Sequence, residues 1–301
     1  MCAAIVSGQL APTPPFDFSR SLQFLGLFTP TQREQTIAAT TLTKALSLDG
    51  RAIVFEVAAE GSVDQPLLSY TLHSAQPLSP TQEQAALDRI SFYLSLADDL
   101  RPFYAIGRAD PAFAPVITQL YGYHQVKFLT PFENACWAVL SQRTPITAAR
   151  KLKQTLIEQV GGQLAYDGAT WRAFPEPRAL VAAGPDQLAG LIGNERKGRY
   201  LHAVADAFAS VDEQWLRSAP YAEVEAWLLG ISGIGAWSAG FVLVRGLGRM
   251  EHLPREDRLG ESAARIYGLA PDEATPAAIE RLAQPYGAYR GYWAHYLRVA
   301  A

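Results

Sequence analysis

With 301 residues, 49% of them hydrophobic and 18% charged, the chain is long enough for two domains with separate cores and is composed like a globular protein, neither disordered nor membranous. Its net charge of −3 argues against wholesale wrapping of nucleic acid, because affinity for a duplex rests on Lys and Arg neutralising phosphates, but it leaves room for a local basic face. No apolar run reaches the ~18 residues of a membrane span and no basic stretch leads into an apolar one at the start, so no membrane partner is expected and the expected location is the cytoplasm.

Residues 1–15 are small, polar and proline-rich and read as a flexible lead or strand entry. Phe16 to Leu25 has helical spacing, with Phe18, Leu22 and Leu25 on one face. Strand character follows in Thr40–Leu48 and Ala52–Ala58, joined by the hairpin pair Asp49-Gly50, and again in Leu67–His73. Thr81 to Asp98 is helical in period, and Asp110-Pro-Ala-Phe-Ala-Pro115 is a break. From Pro131, which opens a helix with Glu133 in its first turn, the chain reads as helix after helix. Ile146–Val160 closes at Gly161-Gly162, Gly184 opens another helix, and Asn194-Glu-Arg-Lys-Gly-Arg-Tyr200 opens the next. These features predict an α+β fold: a small antiparallel-sheet α/β domain over 16–125, then an all-α domain over 126–301.

The most informative stretch is Trp227-Leu-Leu-Gly-Ile-Ser-Gly-Ile-Gly-Ala-Trp-Ser-Ala239. A helix end, a hairpin at Ser232-Gly233-Ile234-Gly235 and a new helix at Ala236 make a helix–hairpin–helix spanning 228–239. Two glycines leave its backbone free to approach a ligand, and outward amides offer an anion site that fits one DNA phosphate. The same G-I-G also serves as a plain interhelical turn. Three segments in order, this hairpin, Pro131-Phe-Glu-Asn-Ala-Cys-Trp-Ala-Val-Leu-Ser-Gln142 and Gly287-Ala-Tyr-Arg290-Gly-Tyr-Trp-Ala-His-Tyr-Leu297, resemble the helix-hairpin-helix (HhH-GPD) DNA glycosylases, most closely the DNA-3-methyladenine glycosylase II (AlkA-like) branch. Phe16–Leu25 resembles the opening of the N-terminal domain in that family, for which a purely packing role is the preferred reading.

The resemblance implies base excision repair by flipping a damaged, alkylated purine out of duplex DNA and hydrolysing its glycosidic bond. Such chemistry needs an ionised carboxylate beside an oxocarbenium-like sugar and an aromatic pocket for the base; a cationic base leaves without strong acid help. By family position Trp237, Phe241 and Tyr289 are the pocket candidates. Gly233, Ile234, Gly235 and Ala236 are the phosphate-binding candidates, and Gln142, Arg143 and Thr144 the gap-filling loop. The carboxylate has two claimants in Leu253-Pro-Arg-Glu-Asp257. Counting from the proline, residue type and capping preference favour Asp257; helix phase, counted back from Arg265, Tyr267 and Gly268, favours Glu256 and puts Leu259 on the apolar face.

Superfamily lyases carry a lysine where Trp237 stands, so no lyase activity is expected. Cys2 and Cys136 cannot supply the four thiolates of an iron–sulfur cluster, and no cofactor is required. The family implies a monomer, nucleoid-associated if bacterial. It also implies a monovalent cation, Na+ or K+, on backbone carbonyls of Leu229, Ser232 or Ile234. Two rival readings stand: a catalytically degenerate protein that binds DNA or DNA damage without excision, and a structural module in which the hairpin is only a turn.

Overall fold

The computed structural model describes residues 4–254, 258–270 and 272–300. Its N-terminal part is a five-stranded antiparallel sheet in the order β1-β5-β4-β3-β2, formed by β1 (Ala4–Leu10), β2 (Gln35–Ala38), β3 (Thr41–Leu48), β4 (Arg51–Ala59) and β5 (Leu68–Ser74). Asp49 and Gly50 both take positive φ, 51° and 73°, as the two-residue hairpin between β3 and β4 requires. Of the two readings of the N-terminal segment, flexible lead or strand entry, the structure shows a strand over residues 4–10. Residues 4–10 pair along their whole length with β5, from Ala4 opposite Ser74 to Leu10 opposite Leu68, so backbone pairing orders a segment whose side chains carry little strand signal. β2 escaped notice for the same reason.

Helices α1 (Phe18–Leu27) and α2 (Pro80–Tyr93) cover the sheet. Asp17 caps α1 by accepting from the Ser19 amide, and Ser79 with Gln82 forms a capping box on α2. Leu22, Leu25 and Ile90 pack onto Leu42, Phe55 and Leu72 of the strands. Helices α3 (Arg101–Ala109) and α4 (Ala114–Gln119) do not join this core. They pack with the C-terminal helices α12 (Leu259–Tyr267), α13 (Pro276–Ala283) and α14 (Arg290–Ala300) around Phe103, Tyr286, Trp293 and Tyr296.

A third core holds α5 (Pro131–Ser141), α6 (Ile146–Val160), α7 (Pro177–Ile192), α8 (Glu195–Ser210), α9 (Glu213–Ser218), α10 (Tyr221–Leu229) and α11 (Ala236–Phe241). This part is mostly but not wholly helical. β6 (Gln163–Tyr166) and β7 (Ala169–Arg172) form a hairpin whose Leu164 and Ala173 pack on Ala52 and Val54 of the sheet. Its signal was present in Asp167-Gly168, the same residue pair as at 49–50, with φ of 47° and 71°.

One buried ion cluster ties the sheet domain to the helices. Lys153 of α6 is fully buried, and its Nζ lies 2.6 Å from both Glu34 Oε1 and Glu133 Oε1. Lys44 of β3 holds the other oxygen of Glu34 at 3.2 Å. Burial opposes ionisation of Glu34, but Lys153 and Lys44 outweigh it and its carboxyl lies below the ordinary 4.5. Burial likewise opposes charge on Lys153, and Glu133 and Glu34 outweigh it, so its ammonium titrates above 10.5.

Removing one partner of such a cluster leaves charge buried and uncompensated, at a cost of about 3–5 kcal/mol. Lys153→Met is therefore expected to lower unfolding free energy by that order in urea titrations at pH 7. The depressed carboxyl adds stability that is full above pH 4.5 and is lost as pH falls through its folded value. Wild-type stability should consequently drop in acid more steeply than that of the variant, and the contribution from Lys153 should fade only above pH 10.5.

Candidate DNA interface and base pocket

The hairpin is held from below by two isoleucines. Ile231 and Ile234 point into the helical core, and the Ile234 amide donates to Ile231 O at 3.0 Å. Gly233 takes φ 95°, with the Tyr200 ring of α8 packed against it; a methyl there would stand 2.5 Å from Tyr200 Cγ. Gly235, by contrast, is exposed, extended and faces open space. It leads into Ala236 and Trp237, both exposed in the first turn of α11, where helix amides lack intrahelical partners. A π-helical turn over Val242–Gly246 continues α11.

The loop after α5 is fastened to this hairpin. Gln142 Nε2 donates to Gly233 O at 2.7 Å, and Thr144 Oγ1 donates to Gln142 O at 2.9 Å. Between them Arg143 is exposed and left-handed, φ 49°. The loop of Gln142, Arg143 and Thr144 is thus tied to the hairpin at Gly233.

Trp237, 51% exposed, forms a ridge between two open clefts. One, of about 840 Å³, has walls of Phe24, Phe28, Trp137, Trp237 and Phe241, with Arg20, Arg258 and Arg298 at its edge. The Trp237 and Phe241 rings stack at 5.1 Å and 10°. Phe241 touches Phe128, Phe128 touches Phe28, and Phe28 stacks on Phe24, with ring centroids 5.9, 5.4 and 5.0 Å apart. The buried Arg245 guanidinium lies over Phe24 and Phe28 at 4.7 and 5.0 Å. The other cleft, of about 810 Å³, is bounded by Tyr221, His252, Pro254, Gly260 and Arg290.

Beyond packing against the helices, the N-terminal domain contributes Phe24 and Phe28 to the aromatic wall of this cleft. The signal was available: Phe24 lies off the α1 face defined by Phe18, Leu22 and Leu25. Tyr289 is not brought to Trp237 and Phe241. Its hydroxyl donates to Asp99 O at 3.0 Å, its ring packs 6.0 Å from Phe103, and neither cleft includes it. A turn at Gly287, φ 51°, precedes it, and Arg290 faces the second cleft instead.

Glu256 and Asp257 lie outside the described residues. Their described neighbours Pro254 and Arg258 line the second and the first cleft respectively, each of which also includes Trp237. Helix α12 starts at Leu259 with Arg258 at its N-cap position and no cap bond from the Arg258 side chain. Leu259, Ser262 and Ala263 face inward, the register that the count to Glu256 assumes. No lysine lines either cleft among the described residues. In the hairpin, the carbonyls of Leu228, Ile231 and Gly233 accept hydrogen bonds within the protein and alternate with those of Leu229, Ser232 and Ile234.

The two glycines make separable predictions. Gly233→Ala meets both positive φ and the Tyr200 ring, so it should lower Tm, by more than the ~4 °C of a 1 kcal/mol change. Gly235→Ala should leave Tm within error yet weaken duplex binding several-fold, because the new methyl stands on the outward face; fluorescence anisotropy at fixed salt measures the second effect.

The profile described as HhH-GPD superfamily base excision DNA repair protein matches residues 136–287. Over 228 residues, 75% of each chain, the sequence is 26% identical to a DNA-3-methyladenine glycosylase of Bacillus subtilis. In fold it resembles the 3-methyladenine DNA glycosylase of Archaeoglobus fulgidus, with TM-score 0.76, 19% identity and 97% of both chains covered. It also resembles the Clostridium acetobutylicum 8-oxoguanine glycosylase/lyase bound to double-stranded DNA, with TM-score 0.67, 16% identity and 98% and 96% of the two chains covered. With half its length matched by one family profile, and with the hairpin, the fastened loop and the aromatic cleft in place, the chain belongs to the HhH-GPD superfamily of base excision DNA repair proteins.

Proposed function

We propose that this protein is a monofunctional DNA glycosylase that flips an alkylated purine from duplex DNA and hydrolyses its N-glycosidic bond, leaving an abasic site. The observation that carries this reading is the aromatic cleft of Phe24, Phe28, Trp137, Trp237 and Phe241, opening at the ridge where the DNA-facing hairpin begins. The hairpin backbone holds one phosphate through Gly233–Ala236, and Gln142, Arg143 and Thr144 fill the gap left by the extruded nucleotide. The flipped base stacks in the cleft; electron-rich rings favour one that carries positive charge over a normal one.

The acidic turn after Pro254 supplies the carboxylate. It stabilises positive charge growing at C1′ as the bond to the base breaks and orients the water whose oxygen bonds to that carbon. The register of α12 supports Glu256 in this role over Asp257. A lysine nucleophile is missing from the described lining of both clefts, which supports hydrolysis without a lyase step. The alternating carbonyls of Leu229, Ser232 and Ile234 fit a monovalent cation, Na+ or K+, that would brace the hairpin beside a phosphate. The protein acts as a cytoplasmic monomer on damaged duplex DNA, without an iron–sulfur cluster. A second reading, DNA or damage binding without excision, is favoured by one observation: in Leu253-Pro-Arg-Glu-Asp257 the count from the proline and the count along the helix fall on different carboxylates.

Release of free base from methylated duplex separates the two. Wild type should release alkylated purine. One of Glu256→Gln and Asp257→Asn should cut kcat/KM by about a hundredfold or more while the other stays within several-fold, and Trp237→Ala should reduce release with little change in affinity for undamaged duplex. Intact binding with no release by wild type would establish the second reading instead.

A further inference from the structure

Lys197 belongs to none of the parts described so far, and its environment is unusual for a lysine. It sits in the first turn of α8, the electropositive end of a helix, beside Arg196. It is 9% exposed, and no carboxylate pairs with it among the described residues. Burial, aided by Arg196, pushes its ammonium below the ordinary 10.5. Burying a cation there is costly, and packing alone would be served better by Leu or Met. What the ammonium does instead is donate to two oxygens of the loop after α5: Leu140 O at 2.6 Å and Thr144 Oγ1.

From there the bonding continues without a break. The Thr144 hydroxyl donates to Gln142 O and the Gln142 carboxamide donates to Gly233 O, at 2.9 and 2.7 Å. The chain Lys197, Thr144, Gln142, Gly233 runs from α8 through the loop to the hairpin and brackets a single residue, Arg143. That residue is exposed and held at φ 49°, a left-handed backbone that a non-glycine residue keeps only where its surroundings impose it.

We propose that Lys197 is a positioning residue that locks the 142–144 loop so that Arg143 is presented, preformed, to the gap in the duplex. This rests on the reading of that loop as the gap-filling element. Lys197 does not touch DNA in this scheme; it sets the preference for a duplex with an extruded or missing base over an intact one. A lysine that instead met a phosphate would change affinity for every duplex and lower the salt slope by about one unit.

The test compares Kd for an abasic-site duplex with Kd for the same undamaged duplex, across salt concentration, for wild type, Arg143→Ala, Lys197→Met and the double variant. Thr144→Val, which removes the acceptor and keeps the volume, serves if Lys197→Met does not fold. We expect wild type to prefer the abasic duplex, Arg143→Ala and Lys197→Met each to reduce that preference roughly tenfold, the value of a charge-assisted hydrogen bond, and the double variant to lose no more than Arg143→Ala. Thr144→Val should move in the same direction, and the salt slope on undamaged duplex should be unchanged in Lys197→Met.

Full preference in Lys197→Met, losses that multiply in the double variant, or a reduced salt slope would overturn the proposal and leave the glycosylase reading standing. An unaffected Arg143→Ala would overturn it through the loop assignment. A wild type without any preference for the abasic duplex would fail the damage-recognition reading itself and take the proposal with it.

Discussion

The ammonium of Lys153, enclosed by Glu34 from the sheet domain and Glu133 from the helical domain, sets the docking of the two. Burying three charges is costly, and the mutual attraction recovers that cost only in one geometry. The same ammonium lies 5.7 Å over the ring of Phe128, and Phe128 touches both Phe28 of the sheet domain and Phe241 of the helical domain. The ion cluster is therefore continuous with the aromatic wall, and the position of Phe24 and Phe28 opposite Trp237 follows from how the domains are locked.

Around the hairpin the structure sets backbone and side chains to different parts of the surface. The hairpin presents amides and glycine, held from below by Ile231, Ile234 and the Tyr200 ring. Backbone amides recognise a phosphate whatever the base, and that suits an element that grips the duplex regardless of sequence. In the proposed function, discrimination falls to the cleft beside it. Trp237 belongs to both, since it stands in the exposed first turn of α11 and its ring stacks on Phe241 in the cleft wall.

Basic residues are distributed in the fold differently from their clustering in the chain. Lys153 and Lys197 are buried and engaged inside the protein. Arg245 lies under the aromatic wall, and Arg249 pairs with Glu251 and donates to Ala219 O. What faces the cleft edge is Arg20, Arg258 and Arg298, from three separate regions of the chain, with Arg143 exposed on the loop beside the hairpin. A chain with net charge −3 can in this way offer a positive margin where a phosphate backbone would pass, without the repulsion a uniformly basic surface would bring.

Local chemistry was legible in the sequence wherever it alone decides the conformation. Asp49-Gly50 had to turn, Pro131 could open a helix, the hairpin glycines were free to take positive φ, and the spacing of Phe18, Leu22 and Leu25 had to face a core; each is a property of a few neighbouring residues. The family resemblance, carried by three ordered motifs, added the roles expected of the hairpin and of Trp237 and Phe241. Tertiary structure decided what depends on partners far along the chain. Residues 4–10 became a strand because β5 was there to pair with, Tyr289 turned toward Asp99 and Phe103 and away from Trp237, and Phe24 and Phe28 joined a wall whose other half lies more than a hundred residues later. Lys197 shows the limit most clearly: in the sequence it is one of three basic residues in a polar turn, and only the approach of Leu140 and Thr144 makes it the anchor of a loop. Short-range sterics and capping are written in consecutive residues, whereas a buried charge acquires its role only when distant oxygens are brought within hydrogen-bonding distance.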